Sequence, residues 1–406
     1  MRVCVVGGGA SGAMAAIMLA RQGIDVTLLE KNEKIGKKLY ITGKGRCNLT
    51  NDCDMDSLFA HVVHGEKYLR SALYLFTPKD TMSFFEDAGL SLQVERGNRV
   101  FPVSQKSSDV IKTLNNELKR SGVCVKLNAE VKDINATDGG FEVVTDIKTY
   151  TCDKVVVATG GVSYPSTGST GDGYVFAKKF GLSVVEPVQA LVPVLVAENV
   201  SALQGISLKN VTLSASADGK VIADKFGELM FTGRGLSGPV ALTLSSYINR
   251  RQNVTLSLDL KPALDEKQLD VRILREFEER KNQDIKNVTR ALMSDRLNTY
   301  VLKRAGIAES KKVNAVTKDE RARLVCTIKN LTFKMTGLAP FSEAVITSGG
   351  VALKGLLPSG ESRTQKGLYF IGETVDVDAL TGGFNLQIAF ATAAACARDI
   401  LKTIKK

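Results

Sequence analysis

The chain has 406 residues, 44% hydrophobic and 24% charged, with a net charge of +11. That length exceeds a single core, so two or three domains are expected, and the composition excludes a disordered or fibrous chain. Its longest apolar runs, such as residues 13–20, are too short to cross a membrane.

The start of the chain carries the densest pattern. Residues 2–6 (RVCVV) predict a short buried strand, followed by Gly7-Gly8-Gly9-Ala10-Ser11-Gly12, a helix over 13–22, a strand over 25–29 and then Glu30. Strand, Gly-x-Gly-x-x-Gly, helix, strand and acid in this order form a dinucleotide-binding fingerprint. Gly7 permits the tight turn, and Gly9 lets the backbone approach a pyrophosphate. Gly12 lets the helix pack on the strand, and the helix N-terminus faces the negative charge. Ala10 and Ser11 lie in that turn. A carboxylate at Glu30 accepts from adenosine ribose hydroxyls and disfavours a 2′-phosphate, so FAD or NAD is expected here rather than NADP. A stretch that breaks into glycines at once is no signal peptide. The seven scattered cysteines lack a C-x-x-C pair, which points to reduced thiols in a cytoplasm.

Residues 31–51 read as a basic, glycine-rich loop with Lys31, Lys34, Lys37, Lys38, Lys44 and Arg46 around Gly36, Gly43 and Gly45. Such a loop can wrap the pyrophosphate and reach a reactive ring; Lys31, Lys38, Gly45 and Arg46 are its candidate contacts. His61 and His64, the only histidines, fall i, i+3 in an expected surface helix without further ligands for a metal. Helices are predicted over 66–76, 78–89 and 107–120, and a hairpin over 92–103. Strands follow near 123–127, 129–136 and 141–150, where Val125 and Val131 could meet an adenine. Residues 154–161 (KVVVATGG) predict a buried parallel strand ending in Ala158, Thr159, Gly160 and Gly161, whose glycines allow close approach to a ligand. The loop 162–173 opens a helix over 174–180. It is neither a Walker loop nor a second Gly-x-Gly-x-x-Gly, which counts against a built-in nicotinamide domain.

Residues 191–260 then change character, with short strands at 191–196, 205–217, 220–231 and 253–260 and a glycine loop leading into a helix within 231–246. Helices are expected over 266–281, 285–304 and 317–327. All-β followed by all-α between α/β segments indicates an inserted unit. Residues 250–334 hold 20 Lys and Arg against 12 Asp and Glu, an asymmetry that points to a polyanion such as nucleic acid. The α/β pattern returns at 343–351. Residues 367–378 (GLYFIGETVDVD) predict a strand ending at Gly372 and Glu373, with Asp376 beyond, where an acid can hold a ribityl or ribose hydroxyl. Gly383, Phe384, Asn385 and Leu386 open a long apolar helix over 388–400, whose free N–H groups suit the flavin N1/O2 region as it gains electrons.

Four strings, TGKGRCNLTN (42–51), GGVSYPSTGSTGDGY (160–174), FTGRGLSGP (231–239) and GETVDVDALTGGFNLQ (372–387), resemble the BaiN/YhiN-type flavoproteins over essentially the whole chain. The resemblance implies an α/β fold: a Rossmann-like FAD-binding domain of the two-dinucleotide-binding flavoprotein type, with an inserted β-barrel plus helical domain. The expected division is 1–190 and 336–406 for the FAD-binding domain and 191–335 for the insertion, as barrel (191–262) and helices (263–335). The implied cofactor is FAD, with NADH or NADPH as transient reductant. Members of this family are linked to reduction of a uridine in large-subunit ribosomal RNA to dihydrouridine, to reduction of steroid enones, and to oxidation of aminoacetone. The leading expectation is therefore a cytoplasmic, FAD-dependent reductase of a conjugated C=C in ribosomal RNA, docked through the basic insertion, with no metal and no membrane. The alternatives are a small-molecule flavoenzyme and a non-catalytic, flavin-stabilised RNA-binding protein. Cys47 is the candidate acid, Arg46 and Asn48 would orient flavin or substrate, and Tyr164 is a second candidate acid.

Overall fold

The computed structural model describes residues 1–404 and divides into two compact units, Met1–Ala190 together with the chain from Pro340 onward, and Leu191–Ala339. The first unit is built on a five-stranded parallel sheet in the order Leu368–Phe370, Lys154–Val157, Arg2–Val6, Asp25–Leu29, Cys124–Lys126. These strands read as continuous apolar runs because helices and loops cover both faces. The chain leaves the central strand Arg2–Val6 toward one edge and returns to its other side at Lys154–Val157. A doubly wound sheet opens a crevice at the carboxyl ends of such a pair of strands. Gly7 and Ala158 are the first residues beyond those ends.

One face of the sheet carries the first helix, Ala10–Ala20, and the C-terminal helix, Phe384–Lys402. Ala13, Ala16, Ala393 and Ala397 are buried in the core that both helices share, and side chains this small let helix axes come close. Among the described residues four smaller sheets complete the unit, including a pairing of Val62–His64 with Asp378–Ala379.

Here the structure differs from the sequence reading. His61 ends the short helix Met55–Ala60 and His64 lies on a strand. The β-branched Val62 and Val63, followed by Gly65 at a φ of 81°, favour the extended path. The basic stretch expected as a loop contains the short helix Lys37–Ile41 and a tight turn over Thr42–Gly45.

The second unit is a closed six-stranded barrel: Val194–Val196, Gly235–Ser237, Lys220–Phe231, Ser207–Ala217, Val254–Asp259 and Leu331–Leu338. Leu213, Ala215, Leu256, Leu258, Leu331 and Phe333 alternate inward and are buried. The closing strand Leu331–Leu338 lies in a stretch expected to be helical, and its inward Leu331 and Phe333 explain the correction. Helix 285–304 is likewise two helices, Ile285–Thr289 and Asp295–Ala305. The buried Asn298 joins them: its Oδ1 accepts from Thr289 Oγ1 at 2.7 Å and its Nδ2 donates to the Lys286 carbonyl at 2.8 Å. Asn298→Leu should cost about 1–3 kcal/mol in urea unfolding, because a buried hydroxyl and a carbonyl each lose a partner.

Candidate functional site

Three glycines shape the turn after the first strand. Gly7 has a φ of 104°, and a Cβ on it would lie 2.5 Å from the Ala158 carbonyl oxygen. A Cβ on Gly12 would stand 1.9 Å from the Gly7 carbonyl oxygen, whereas one on Gly9 would meet no atom within 4 Å. Two positions therefore need glycine for packing and one leaves the backbone open in front of the helix. Ala10 and Ser11 begin that helix, whose first N–H groups lack partners within it and present its positive end. Ser11 also seats the C-terminal segment, since a Cβ on Gly372 would be 2.4 Å from its Oγ.

Glu30, at the end of the second strand, faces the glycine turn. Its Oε2 accepts from the Gly8 N–H at 2.8 Å, and its Oε1 accepts from the Asn32 N–H at 2.8 Å and from Asn32 Nδ2 at 2.6 Å. Oε2, with one donor, keeps acceptor capacity for a ribose hydroxyl. The Ala129 N–H donates to the Glu30 carbonyl at 3.0 Å, which sets the buried Val131 beside this end. Lys31 turns away to Thr170 (2.5 Å) and Asp172 (2.7 Å), so its charge fastens the 160s loop.

On the other side of the crevice, Thr159 Oγ1 accepts from the Gly173 N–H at 3.1 Å, and the Gly160 N–H donates to Thr374 Oγ1 at 3.1 Å. A Cβ on Gly161 would lie 2.4 Å from Thr347 Oγ1, the oxygen that accepts the Val162 and Ser163 N–H groups. Lys38 Nζ donates to Glu373 Oε2 at 2.6 Å and to Ser163 Oγ at 2.5 Å; Glu373 Oε1 accepts from Ser163 Oγ at 3.0 Å and from the Thr347 N–H at 2.8 Å. The Asp376 N–H donates to the Val351 carbonyl. Thr347 and Ser163 were not among the expected site residues; their signals were the small-residue run Thr347-Ser348-Gly349-Gly350 and the string 160–174.

The turn before the C-terminal helix is equally tight. Gly383 has a φ of 99°, and a Cβ there would be 2.4 Å from the Thr50 carbonyl oxygen. This contact brings the 42–51 stretch against the helix N-terminus. Asn385 brackets Ala379, accepting its N–H at 2.9 Å and donating to its carbonyl at 2.7 Å. Phe384 is buried under the His61 ring, and Leu386 packs into the helix core. Gln387, the last residue of the string 372–387, accepts from both Thr50 and Thr81 hydroxyls at 2.7 Å.

The stretch Thr42–Asn48 holds four positive φ values, at Gly43, Lys44, Gly45 and Cys47. Lys44 and Cys47 pay for that backbone with roughly 1–3 kcal/mol each, a kind of strain that gathers at functional sites. Arg46 is held on the neighbouring hairpin, bonded to Glu95 and Gln105 and stacked over the Phe101 ring at 4.0 Å. Asn48 Oδ1 is enclosed with no donor. Tyr164 has a φ of 49° and its N–H donates to the Phe341 carbonyl at 3.0 Å. Cys47 is 0% exposed, and burial pushes its thiol up to about 12. Burial and a hydrogen bond with Thr42 hold the Cys47 thiol protonated and enclosed, which weighs against the acid role expected for it. Alkylation of native protein at pH 8 should mark the exposed Cys124 and Cys326 and spare Cys47, read by peptide mass spectrometry. The sign follows from the raised pKa, because the reactive thiolate becomes abundant only as pH approaches about 12.

These residues fit FAD. Gly9 is open where a pyrophosphate passes, Glu30 has spare acceptor capacity for ribose, and an uncapped helix N-terminus closes the far end. Among the described residues no group of three or more His, Cys, Asp or Glu is placed to hold a metal ion. No helix among them is long and apolar enough to cross a membrane.

Comparison with known proteins gives the same picture. The family described as HI0933-like protein Rossmann domain matches residues 1–399. The "Ribosomal RNA dihydrouridine synthase" of Haemophilus influenzae is 30% identical over 98% of this chain and 97% of its own. That of Escherichia coli is 30% identical over 98% and 97%. The "3-dehydro-bile acid delta(4,6)-reductase" of Clostridium scindens is also 30% identical, over 96% of this chain and 97% of its own.

Proposed function

Because the chain belongs to the HI0933-like family and is an FAD-dependent oxidoreductase, we propose that it reduces a conjugated C=C, with a uridine of large-subunit ribosomal RNA as its leading substrate and NADH or NADPH as reductant. Bound FAD supplies the hydride. The chain's own residues do the rest: Gly7, Gly9 and Gly12 shape the pyrophosphate turn, and Glu30 takes the ribose. The Lys38–Glu373 pair fixes the loop and strand ends that would hold the ribityl chain, and Gly383 shapes the turn of the C-terminal helix that would face the ring.

The observation that carries the RNA substrate is the charge of the second unit. Among the described residues at least eight of its cations in 250–334 form ion pairs within the unit, among them Arg321–Asp270, Lys311–Glu320 and Lys329–Asp259. The surplus is carried by exposed residues such as Arg251, Lys267, Arg275, Lys281, Lys303 and Lys318. Phosphate contacts supply most sequence-independent affinity for nucleic acid. Two relatives named for ribosomal RNA dihydrouridine synthesis support the same reading.

Deleting the gene and measuring dihydrouridine in ribosomal RNA tests it: the modification should disappear. Binding of a ribosomal RNA fragment should also weaken at least ~10-fold between 50 and 200 mM salt, for even a few neutralised phosphates. Unchanged dihydrouridine would move the assignment to the second reading, a small-molecule enone reductase, which the bile-acid relative favours at equal identity.

A further inference from the structure

Both histidines of the chain gather at the turn in front of the C-terminal helix. The His61 ring stacks on Phe384 with centroids 4.3 Å apart, and its carbonyl accepts the Leu380 N–H at 2.9 Å. His64 stands opposite Asp378 in the paired strands Val62–His64 and Asp378–Ala379. His64 Nδ1 lies 2.6 Å from Asp378 Oδ1, and against a carboxylate that nitrogen is the donor. Ser348 Oγ donates to the same oxygen at 3.1 Å.

Asp378 is itself 0% exposed, and its Oδ2 is enclosed with no donor. A buried carboxylate in that position is costly unless a positive charge lies beside it. His64 supplies one when protonated. Its side chain is 41% exposed although Nδ1 faces a fully buried partner, so the ring opens to solvent away from that nitrogen. Ser348 shares the oxygen that binds Nδ1 rather than facing Nε2, so these three do not form the arrangement of a nucleophilic serine.

We propose that His64 is the proton donor of the reduction and that Asp378 is its positioning residue, an inference that rests on the reductase reading above. His64 gives the proton from Nε2 to the carbon beside the one that receives hydride from reduced FAD. The Nε2–H bond breaks and leaves its electron pair on the ring. The π pair of the acceptor, displaced by the hydride, forms the new C–H bond. The neutral imidazole takes its next proton from water, and NADH or NADPH restores the reduced flavin. Cys47, by contrast, is 0% exposed.

The test uses holoenzyme in two measurements. In protein labelled with [15N]histidine there are only two imidazoles to observe, and His61→Asn and His64→Asn assign them. A downfield Nδ1 proton of His64 is expected, lost in Asp378→Asn and kept in Ser348→Ala. In stopped flow, reduced enzyme is mixed with ribosomal RNA lacking dihydrouridine or with a 4-en-3-one steroid. Reoxidation should slow by ~10²–10⁴-fold in His64→Asn, while flavin reduction by NADH or NADPH, which needs no proton donor, stays within about twofold of wild type. Asp378→Asn should show a smaller slowing of the same step. If His64→Asn binds FAD and reoxidises at the wild-type rate, the proposal falls while the reductase reading stands. Absence of the downfield proton in wild type also overturns it. Wild-type enzyme that neither acceptor reoxidises overturns the reductase reading and takes this inference with it.

Discussion

Gly12→Ala protein is expected to purify without flavin and to unfold at lower urea than wild type. The added Cβ would stand 1.9 Å from the Gly7 carbonyl oxygen and 3.2 Å from the Ala158 Cβ. The first of these is backbone, fixed by the turn whose Gly7 N–H donates to the Leu29 carbonyl at 2.8 Å, so no side chain can swing aside. The first helix must move off the sheet instead. Overpacking of this kind costs about 1–3 kcal/mol, and the displaced helix N-terminus no longer points at the pyrophosphate. Gly9→Ala supplies the contrast, because its Cβ would meet no protein atom within 4 Å. It should unfold at the wild-type urea midpoint yet bind FAD roughly 10–100-fold more weakly, about 1.4–2.8 kcal/mol. Flavin absorbance per mole of protein and urea unfolding of the apoprotein separate the two effects. Gly12→Ala protein that matches wild type in both would remove the steric account of the fingerprint.

That pair also marks what the chain discloses by itself. Glycine spacing is a local signal, and Gly7, Gly9 and Gly12 carry it in full. Buried parallel strands such as Lys154–Val157 are legible from their apolar runs, and the inward alternation of the barrel is legible at 207–217. Contacts between distant segments leave no such mark. Nothing near Lys38 announces Glu373, and nothing near His64 announces Asp378; only the topology that brings Val62–His64 beside Asp378–Ala379 joins them. The spacing of His61 and His64 invited a helical reading because i, i+3 pairs share a helix face, yet strand pairing overrode it. The burial of Cys47 was illegible for the same reason: its loop is polar in sequence, yet the thiol is enclosed and bonded to Thr42.

Glu373→Ala should lose more stability than Lys38→Met, and the double variant should recover part of the loss. Glu373 accepts three donors at once: Lys38 Nζ, Ser163 Oγ and the Thr347 N–H. Their side chains are 22% and 23% exposed for Lys38 and Glu373, so the pair is mostly shielded from water. Removing the carboxylate strands the ammonium and a backbone N–H together, a loss of about 3 kcal/mol. Removing Lys38 leaves the carboxylate two of its three donors, and the cost falls to about 1–2 kcal/mol. Deleting both charges removes the stranded ammonium, so the double variant should lie above Glu373→Ala alone; a coupling of at least ~1 kcal/mol is expected for groups in direct contact. Each variant should also hold FAD more weakly, since Glu373 ties the 160s loop to the strand Ile346–Val351 and to the segment before the C-terminal helix. Additive losses across this cycle, measured by urea unfolding, would show that the pair is not a unit and that the crevice is held by its backbone turns alone.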